Sequence, residues 1–269
     1  MVERPIVTLT TDYGLKDSFV GMLKGVILGI NPNAKIIDIT HNIERHNILQ
    51  ASQVIGMSYR YFPPATIHVV VVDPGVGGER RPILVITENH YFIGPDNGVF
   101  TPIFEKEYSN FFKVLNLTSS HYFLPINGAT FHGRDIFAPV AAWLSKGVDS
   151  QKFGVQISDH LKINIPKPLL SGDNTIQGEV ISIDNFGNAS SNITMDDLSK
   201  LAPIDEKHKF KILFKGNKLL FVNYYAEAND SSLYATINGF GHLELFVNQD
   251  NASRLFSITM HDPIVVAAE

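Results

Sequence analysis

The spacing of hydrophobic positions changes once along the chain. Through roughly the first 160 residues, short apolar runs alternate with stretches of helical period. Ile6 to Thr10 is a β-rich run that stops at Thr11-Asp12-Tyr13-Gly14. Phe19, Leu23, Val26, Ile27 and Ile30 then keep helical spacing, with Asp17 as the expected cap and Asn31-Pro32 as the stop. Lys35 to Ile39 is a second strand ending in Thr40-His41-Asn42. Asn47 to Tyr61 is a second helix, closed by Pro63-Pro64. Val69 to Val72 is a β-branched run that breaks off at Asp73-Pro74-Gly75, followed by Val76-Gly77-Gly78-Glu79-Arg80. A continuous apolar run bounded by turn residues predicts a strand buried on both faces, as in a parallel sheet. Ile83 to Thr87 and Tyr91 to Ile93 follow, the latter running into Gly94-Pro95-Asp96-Asn97-Gly98.

Strands alternating with helices imply βαβ units and a mostly parallel sheet. Three of these strands end in Asp12, His41 and Asp73, so the topology would gather polar groups along one sheet edge, where open α/β sheets bind ligands. His121 to Asn127 leads into the turn Gly128 to Arg134, and Ile136 to Ser145 has the pattern of an amphipathic helix closed by Lys146-Gly147. His132 therefore sits just before a helix N-terminus, where the dipole favours a neutral imidazole and bound anions.

From about Ser158 to Asn174 the pattern lapses, with Pro166, Pro168 and Ser171-Gly172-Asp173. Beyond it the period becomes alternating: Ile176 to Asp184, Lys209 to Phe214, Leu219 to Tyr224, Tyr234 to Asn238, His242 to Val247 and Pro263 to Ala267, with a hairpin turn at Lys215-Gly216-Asn217-Lys218. Short strands with Gly/Asn turns suggest a small all-β barrel or sandwich. The expectation is an α/β N-terminal domain over residues 1–160, a linker over 161–174 and a barrel-like domain over 175–269.

Composition narrows the function classes. A net charge of −5 with no Lys/Arg-rich run argues against nucleic acid as a partner. Cysteine is absent, which removes disulfides, thiolate nucleophiles and Cys-ligated metals. No apolar stretch approaches the ~18 residues of a membrane span, and Met1 to Pro5 lacks the start of a signal sequence, so no membrane role and a cytoplasmic location are expected.

Candidate chemistry gathers at three places. Arg80 follows Asp73 by seven residues, close enough for a glycine-rich loop to fold back and pair them, although such a pair is as often structural. His132 lies in a Gly-flanked turn, where a capping histidine is ordinarily structural. Asp184-Asn185-Phe186-Gly187-Asn188 interrupts a hairpin with ligand-type side chains, although an Asn-Gly turn is usually only a turn. Asp12, Asp73, His132 and Asp135 are donors of the kind a Mn or Mg phosphohydrolase uses. Arg80 beside Asp73 would repel that cation.

Taken together, TTDYGLKDSFVGMLKG, VVDPGVGGERRP, GPDNG, FHGRDIFAPVAA and IDNFGN, in order over nearly the whole chain, resemble the S-adenosylmethionine (SAM) hydroxide adenosyltransferases, relatives of the SAM-dependent fluorinase and chlorinase. The resemblance implies an α/β domain plus a small β-barrel, and a homotrimer with active sites at subunit interfaces. It implies SAM as a small-molecule substrate, hydrolysed to adenosine and methionine, with no cofactor and no metal. Asp73, Arg80 and His132 match the family's water-activating triad. Asp12 matches the acid that chelates the ribose hydroxyls, and Asp17 and Asp184 match acids near the methionine ammonium. Phe186 and Asn188 match residues that pack on and hydrogen-bond the adenine.

Halogenating relatives carry Tyr and a small residue where this chain has Asp73 and His132, and a carboxylate beside a halide is repulsive in a low-dielectric pocket. Two positions depart from the pattern. His46 stands where the halogenases have a Trp that packs on the ligand, and Asn238-Gly239-Phe240 replaces a Ser-containing turn expected at the methionine carboxylate. A non-catalytic nucleoside or SAM binder is the alternative from another class; retention of all three triad residue types argues against it.

Overall fold

The computed structural model describes residues 4–107, 111–125, 128–172 and 174–268. The chain forms two compact units, Met1–Ile165 and Pro166–Glu269. Among the described residues no helix is long and apolar enough to cross a membrane.

The first unit is a seven-stranded sheet with helices on both faces. Its strands are β1 (Ile6–Thr11), β2 (Lys35–Thr40), β3 (Thr66–Val71), β4 (Pro82–Thr87), β5 (His90–Pro95), β6 (Phe112–Leu117) and β7 (Gly154–Ile157), in the order β2-β1-β3-β5-β4-β6-β7. The first four in that order are mutually parallel, and β4, β6 and β7 pair antiparallel. Every residue of β3 is buried, as its unbroken apolar run requires. Val69 and Val71 face one core with Leu23 and Ile27 of α1 (Phe19–Ile30); Val70 and Val72 face the other with Ala51 and Ile55 of α2 (Ile48–Ser58). Because β2, β1 and β3 are parallel neighbours, Asp12, His41 and Asp73 follow their ends on one edge.

Several local expectations are corrected. Asp17 does not cap α1: the chain reaches helical geometry only at Ser18 (φ −75°, ψ −4°), the N-cap, which makes no side-chain capping bond, and Asp17 stays exposed. Two short elements, α3 (Thr101–Lys106) and β6, went unpredicted; six residues are too few to establish a period. The α-helix expected over Ile136–Ser145 begins at Ala138 (α4, Ala138–Ser145) and is not amphipathic. Six of its residues are buried, because it lies against both α1 and the sheet.

At the opposite end of β3 from Asp73 lies a buried imidazole pair. His68 is 0% exposed; its Nδ1 is 2.8 Å from Thr8 Oγ1, and its Nε2 is 3.3 Å from His90 Nδ1. Its ring stacks on Phe92 at 5.0 Å. Burial, reinforced by His90, pushes the His68 pKa down to about 3, and burial lowers His90 as well.

The second unit is a closed barrel. Its strands are β8 (Leu169–Ser171), β9 (Thr175–Ile183), β10 (Ala189–Thr194), β11 (Phe210–Phe214), β12 (Asn217–Phe221), β13 (Tyr234–Ile237), β14 (His242–Phe246) and β15 (Pro263–Ala268). The ring runs β10-β14-β13-β12-β11-β15-β9 and closes because β9 also pairs with β10, leaving β8 as an addition outside β9. Val180, Ile212, Ala235, Leu243, Leu245 and Val266 fill the interior. The β11–β12 turn is the two residues Lys215 (φ 47°) and Gly216 (φ 78°), both left-handed as a type I′ hairpin needs. Within the stretch expected to be linker, β8 is a strand too short to show alternation, and Asp173 lies outside the described residues.

Candidate active site

The glycine-rich loop after β3 folds back on itself. Val76 N donates to Asp73 O (3.2 Å) and Gly78 N to Gly75 O (3.0 Å). Gly77 is left-handed (φ 78°), and a Cβ there would lie 2.6 Å from the Ala129 carbonyl oxygen. This close approach packs the loop on the turn that carries His132 and needs glycine for both reasons.

The result joins the three residues. Arg80 Nε donates to Asp73 Oδ1 at 2.9 Å, and Arg80 Nη2 donates to Asp73 Oδ2 and to His132 Nδ1, the latter at 2.7 Å. The Asp73 and Arg80 side chains are only 5% and 8% exposed. The guanidinium also lies 5.5 Å from the Phe137 ring centroid. Arg80 Nη1 is buried with no partner among the described residues. Burial first, and the Arg80 charge second, hold the His132 pKa below its ordinary value against the opposing pull of Asp73 and Asp135. A guanidinium only donates, so Nδ1 of His132 is the acceptor and the proton of the neutral ring sits on Nε2.

His132 is held in place by an irregular turn. Gly133–Phe137 is π-helical, with Ala138 N donating to Gly133 O, and it merges into α4. Gly133 is needed here because a Cβ would stand 2.5 Å from the Tyr13 hydroxyl. Tyr13 packs with Phe19 and Phe131 in an aromatic cluster. Burial, with Asp12 and Asp73 nearby, raises its phenol pKa, so it stays protonated. Sequence patterning missed Tyr13; its position in the motif after β1 is the one signal of it.

Asp12 Oδ2 accepts the His46 amide at 3.0 Å, and His46 is left-handed (φ 64°) with an exposed side chain. His41 is taken up structurally, with Nδ1 2.8 Å from Thr11 Oγ1 and Nε2 3.1 Å from Asp38 Oδ1. Asp135 pairs with Arg134 (2.6 Å) and Asp73 with Arg80, so two donors of the metal alternative face guanidinium groups. Among the described residues, no group of three or more His, Asp or Glu is placed to hold a metal ion.

In the barrel, the β9–β10 turn is organised by Asp184, whose Oδ1 accepts the Phe186 and Asn188 amides at 2.9 and 2.8 Å. Phe186 is 73% exposed. The turn borders a cavity of about 610 Å³ lined by Asp184, Phe186, Asn188, Tyr225, Asn248 and Asn251, among others. Tyr225, Asn248 and Asn251 were not anticipated, since an Asn-rich turn carries no period. Tyr225 donates to the buried Glu244 at 2.6 Å; burial and that carboxylate raise its pKa. Asn238 is spent internally: its amide nitrogen donates to Ser190 Oγ and Glu244 Oε2, and its oxygen accepts from Phe240 N and His242 N.

Two family models match the chain: the SAM hydroxide adenosyltransferase N-terminal domain over residues 7–154 and the C-terminal domain over residues 178–265. It is 36% identical over 272 residues to an (R)-S-adenosyl-L-methionine hydrolase of Methanocaldococcus jannaschii, covering 97% of this chain and 95% of that one. It is 30% identical over 269 residues to an (R)-S-adenosyl-L-methionine hydrolase of Salinispora arenicola, covering 100% of each. Among solved structures, an uncharacterized conserved protein from Thermotoga maritima matches with a TM-score of 0.88 at 36% identity, over 97% of this chain and 99% of that one.

Proposed function

Because the chain belongs to the SAM hydroxide adenosyltransferase family, we propose that it hydrolyses S-adenosyl-L-methionine at C5′ to adenosine and L-methionine. The observation that carries the reading is Arg80 bridging Asp73 and His132 while one of its buried nitrogens has no partner among the described residues.

In the proposed reaction the C5′–S bond breaks and a C5′–O bond forms, the bonding pair leaves with sulfur as methionine, and water gives up a proton. Attack of hydroxide on a sulfonium neutralises charge, so a water-excluding pocket favours the transition state over the separated ions. Free hydroxide is scarce at neutral pH, so the site must lower the cost of making it. Arg80 supplies positive charge beside the nascent hydroxide. Asp73 accepts the proton: each of its oxygens keeps a lone pair beyond those given to Arg80. His132 takes a different part. With Nδ1 occupied by Arg80 and the proton on Nε2, it offers a donor that orients the water and has no free acceptor. The Asp73 carboxylate also disfavours halide as the nucleophile by like-charge repulsion.

In the same reading, Asp12 holds the ribose hydroxyls, and Asp17 and Asp184 lie near the methionine ammonium. Phe186 and Asn188 receive the adenine, which suits the aromatic and amide lining of the barrel cavity. His46 packs near the ligand. The proposal extends to a homotrimer whose active sites lie between the N-terminal domain of one copy and the barrel of the next, and to a cytoplasmic location.

The test is incubation of the purified protein with SAM in ¹⁸O-water, chloride buffer and EDTA, with products resolved by chromatography and mass detection. Adenosine carrying ¹⁸O at C5′ supports the reading. A 5′-chloro-5′-deoxyadenosine peak overturns the triad argument, and bound but unconverted SAM replaces the hydrolase with a binder.

A further inference from the structure

The turn Gly94-Pro95-Asp96-Asn97-Gly98 has no part in the chemistry above, yet it sits where the triad loop begins and ends. Strand β5 lies between β3 and β4 in the sheet. The loop that carries Asp73 and Arg80 leaves from the end of β3 and returns at the start of β4. Pro95 of β5 is in register with Pro82 of β4, and β5 runs parallel to β3. The residues after Pro95 therefore stand between the two roots of that loop.

They hold both roots. Asp96, 2% exposed, accepts Arg81 Nε at 2.9 Å and Arg81 Nη2 at 2.7 Å on one carboxylate oxygen, and its amide donates to Arg81 O at 2.8 Å. Asn97 Nδ2 donates to the Val72 carbonyl at 2.9 Å. Arg81 is the chain neighbour of Arg80, and Val72 that of Asp73. The other Asp96 oxygen accepts Leu161 N at 2.8 Å, and Arg81 also reaches Asp159 at 2.7 Å, so the clamp is itself anchored to the end of this unit.

The geometry points to Asp96 and Asn97 as positioning residues for the Asp73–Arg80 pair. A loop with glycine at 75, 77 and 78 has little stiffness of its own. Fixing the residue next to each partner sets the separation at which the pair forms. Two adjacent arginines would also compete for Asp73; Asp96 occupies the second and leaves Arg80 to the triad. The kinetic consequence rests on the proposed hydrolase, whereas the geometric one does not.

The test compares the wild-type protein with Asp96→Asn and Asn97→Ala. Three quantities are measured: kcat and KM for SAM, melting temperature, and the His132 pKa of the ligand-free protein by ¹H–¹⁵N NMR. Misplacing a reacting group by about 1 Å costs on the order of 100-fold, so kcat should fall at least about tenfold in each variant, with KM little changed. The His132 pKa should rise toward its ordinary value as Arg80 relaxes away from Nδ1. Folded variants with wild-type kcat and an unmoved His132 pKa, whatever their melting temperature, overturn the inference. If Asp96→Asn does not fold, Asn97→Ala, which removes only the Val72 arm and one turn contact, decides. If the wild-type protein does not convert SAM, the hydrolase reading falls, and the His132 pKa still decides the clamp.

Discussion

Replacing His68 with Phe should flatten the acid side of the protein's stability curve. His68 is wholly buried and its pKa is depressed to about 3, whereas the unfolded chain titrates near 6.5. The unfolded state therefore binds the proton first, so stability is lost as pH falls below about 6.5 and continues to fall until about pH 3. At pH 7 the loss is roughly 0.2 kcal/mol, and at pH 5 about 2 kcal/mol, from the linkage relation. The pH 5 figure barely changes if the folded value lies anywhere below about 4, because it is set by the unfolded pKa. Phe keeps the contact with Phe92 and cannot charge, though it leaves Thr8 Oγ1 without its imidazole partner. That defect lowers stability at every pH, so the quantity to read is the difference between pH 7 and pH 5. The difference should shrink by about 2 kcal/mol in the variant. Urea titrations followed by Trp143, the chain's one tryptophan, report the unit that contains the pair. An equal pH difference in both proteins would refute the reasoning.

Three further outcomes are expected. Asp73→Asn should cut kcat for SAM by about 10²–10⁴-fold with KM little affected, and wild-type turnover would remove Asp73 as the proton acceptor. Gly77→Ala forces a side chain into a left-handed residue against the Ala129 carbonyl, and should lower stability by about 1–3 kcal/mol in denaturant titration while reducing kcat. The acid limb of the kcat profile should lie below the ordinary histidine value, because the His132 pKa is lowered and its protonation would set a second cation against Arg80. A limb at or above about 6.5 would contradict that assignment.

The legible parts of this chain are those where one physical demand dominates. Val69 to Val72 could be nothing but a doubly buried strand, and the turn residues after it had to expose Asp73 at the sheet edge. The neighbouring ends of β1, β2 and β3 follow from parallel pairing, yet their order was not readable from spacing. Strand β10 was invisible because Ser191 and Asn192 are buried as hydrogen-bonding groups, Ser191 on Leu243 O and Asn192 on Glu179 N, which erases the apolar alternation. Closure of the barrel depends on that strand and was hidden with it. Motif resemblance singled out Asp12 and His46, but the bond between them runs through a backbone amide in a left-handed residue, which no side-chain pattern encodes.

The π turn at Gly133–Phe137 gives the triad an unusual kind of fragility. A π turn holds one residue more than the α turn it replaces. A one-codon deletion there would let the turn close into ordinary helix, with α4 still seated between α1 and the sheet. The residues bordering the turn on its N-terminal side would be rephased by about 100° about the helix axis, carrying the imidazole of His132 off Arg80. The placement of the third triad member thus depends on the number of residues in the turn as well as on their identity.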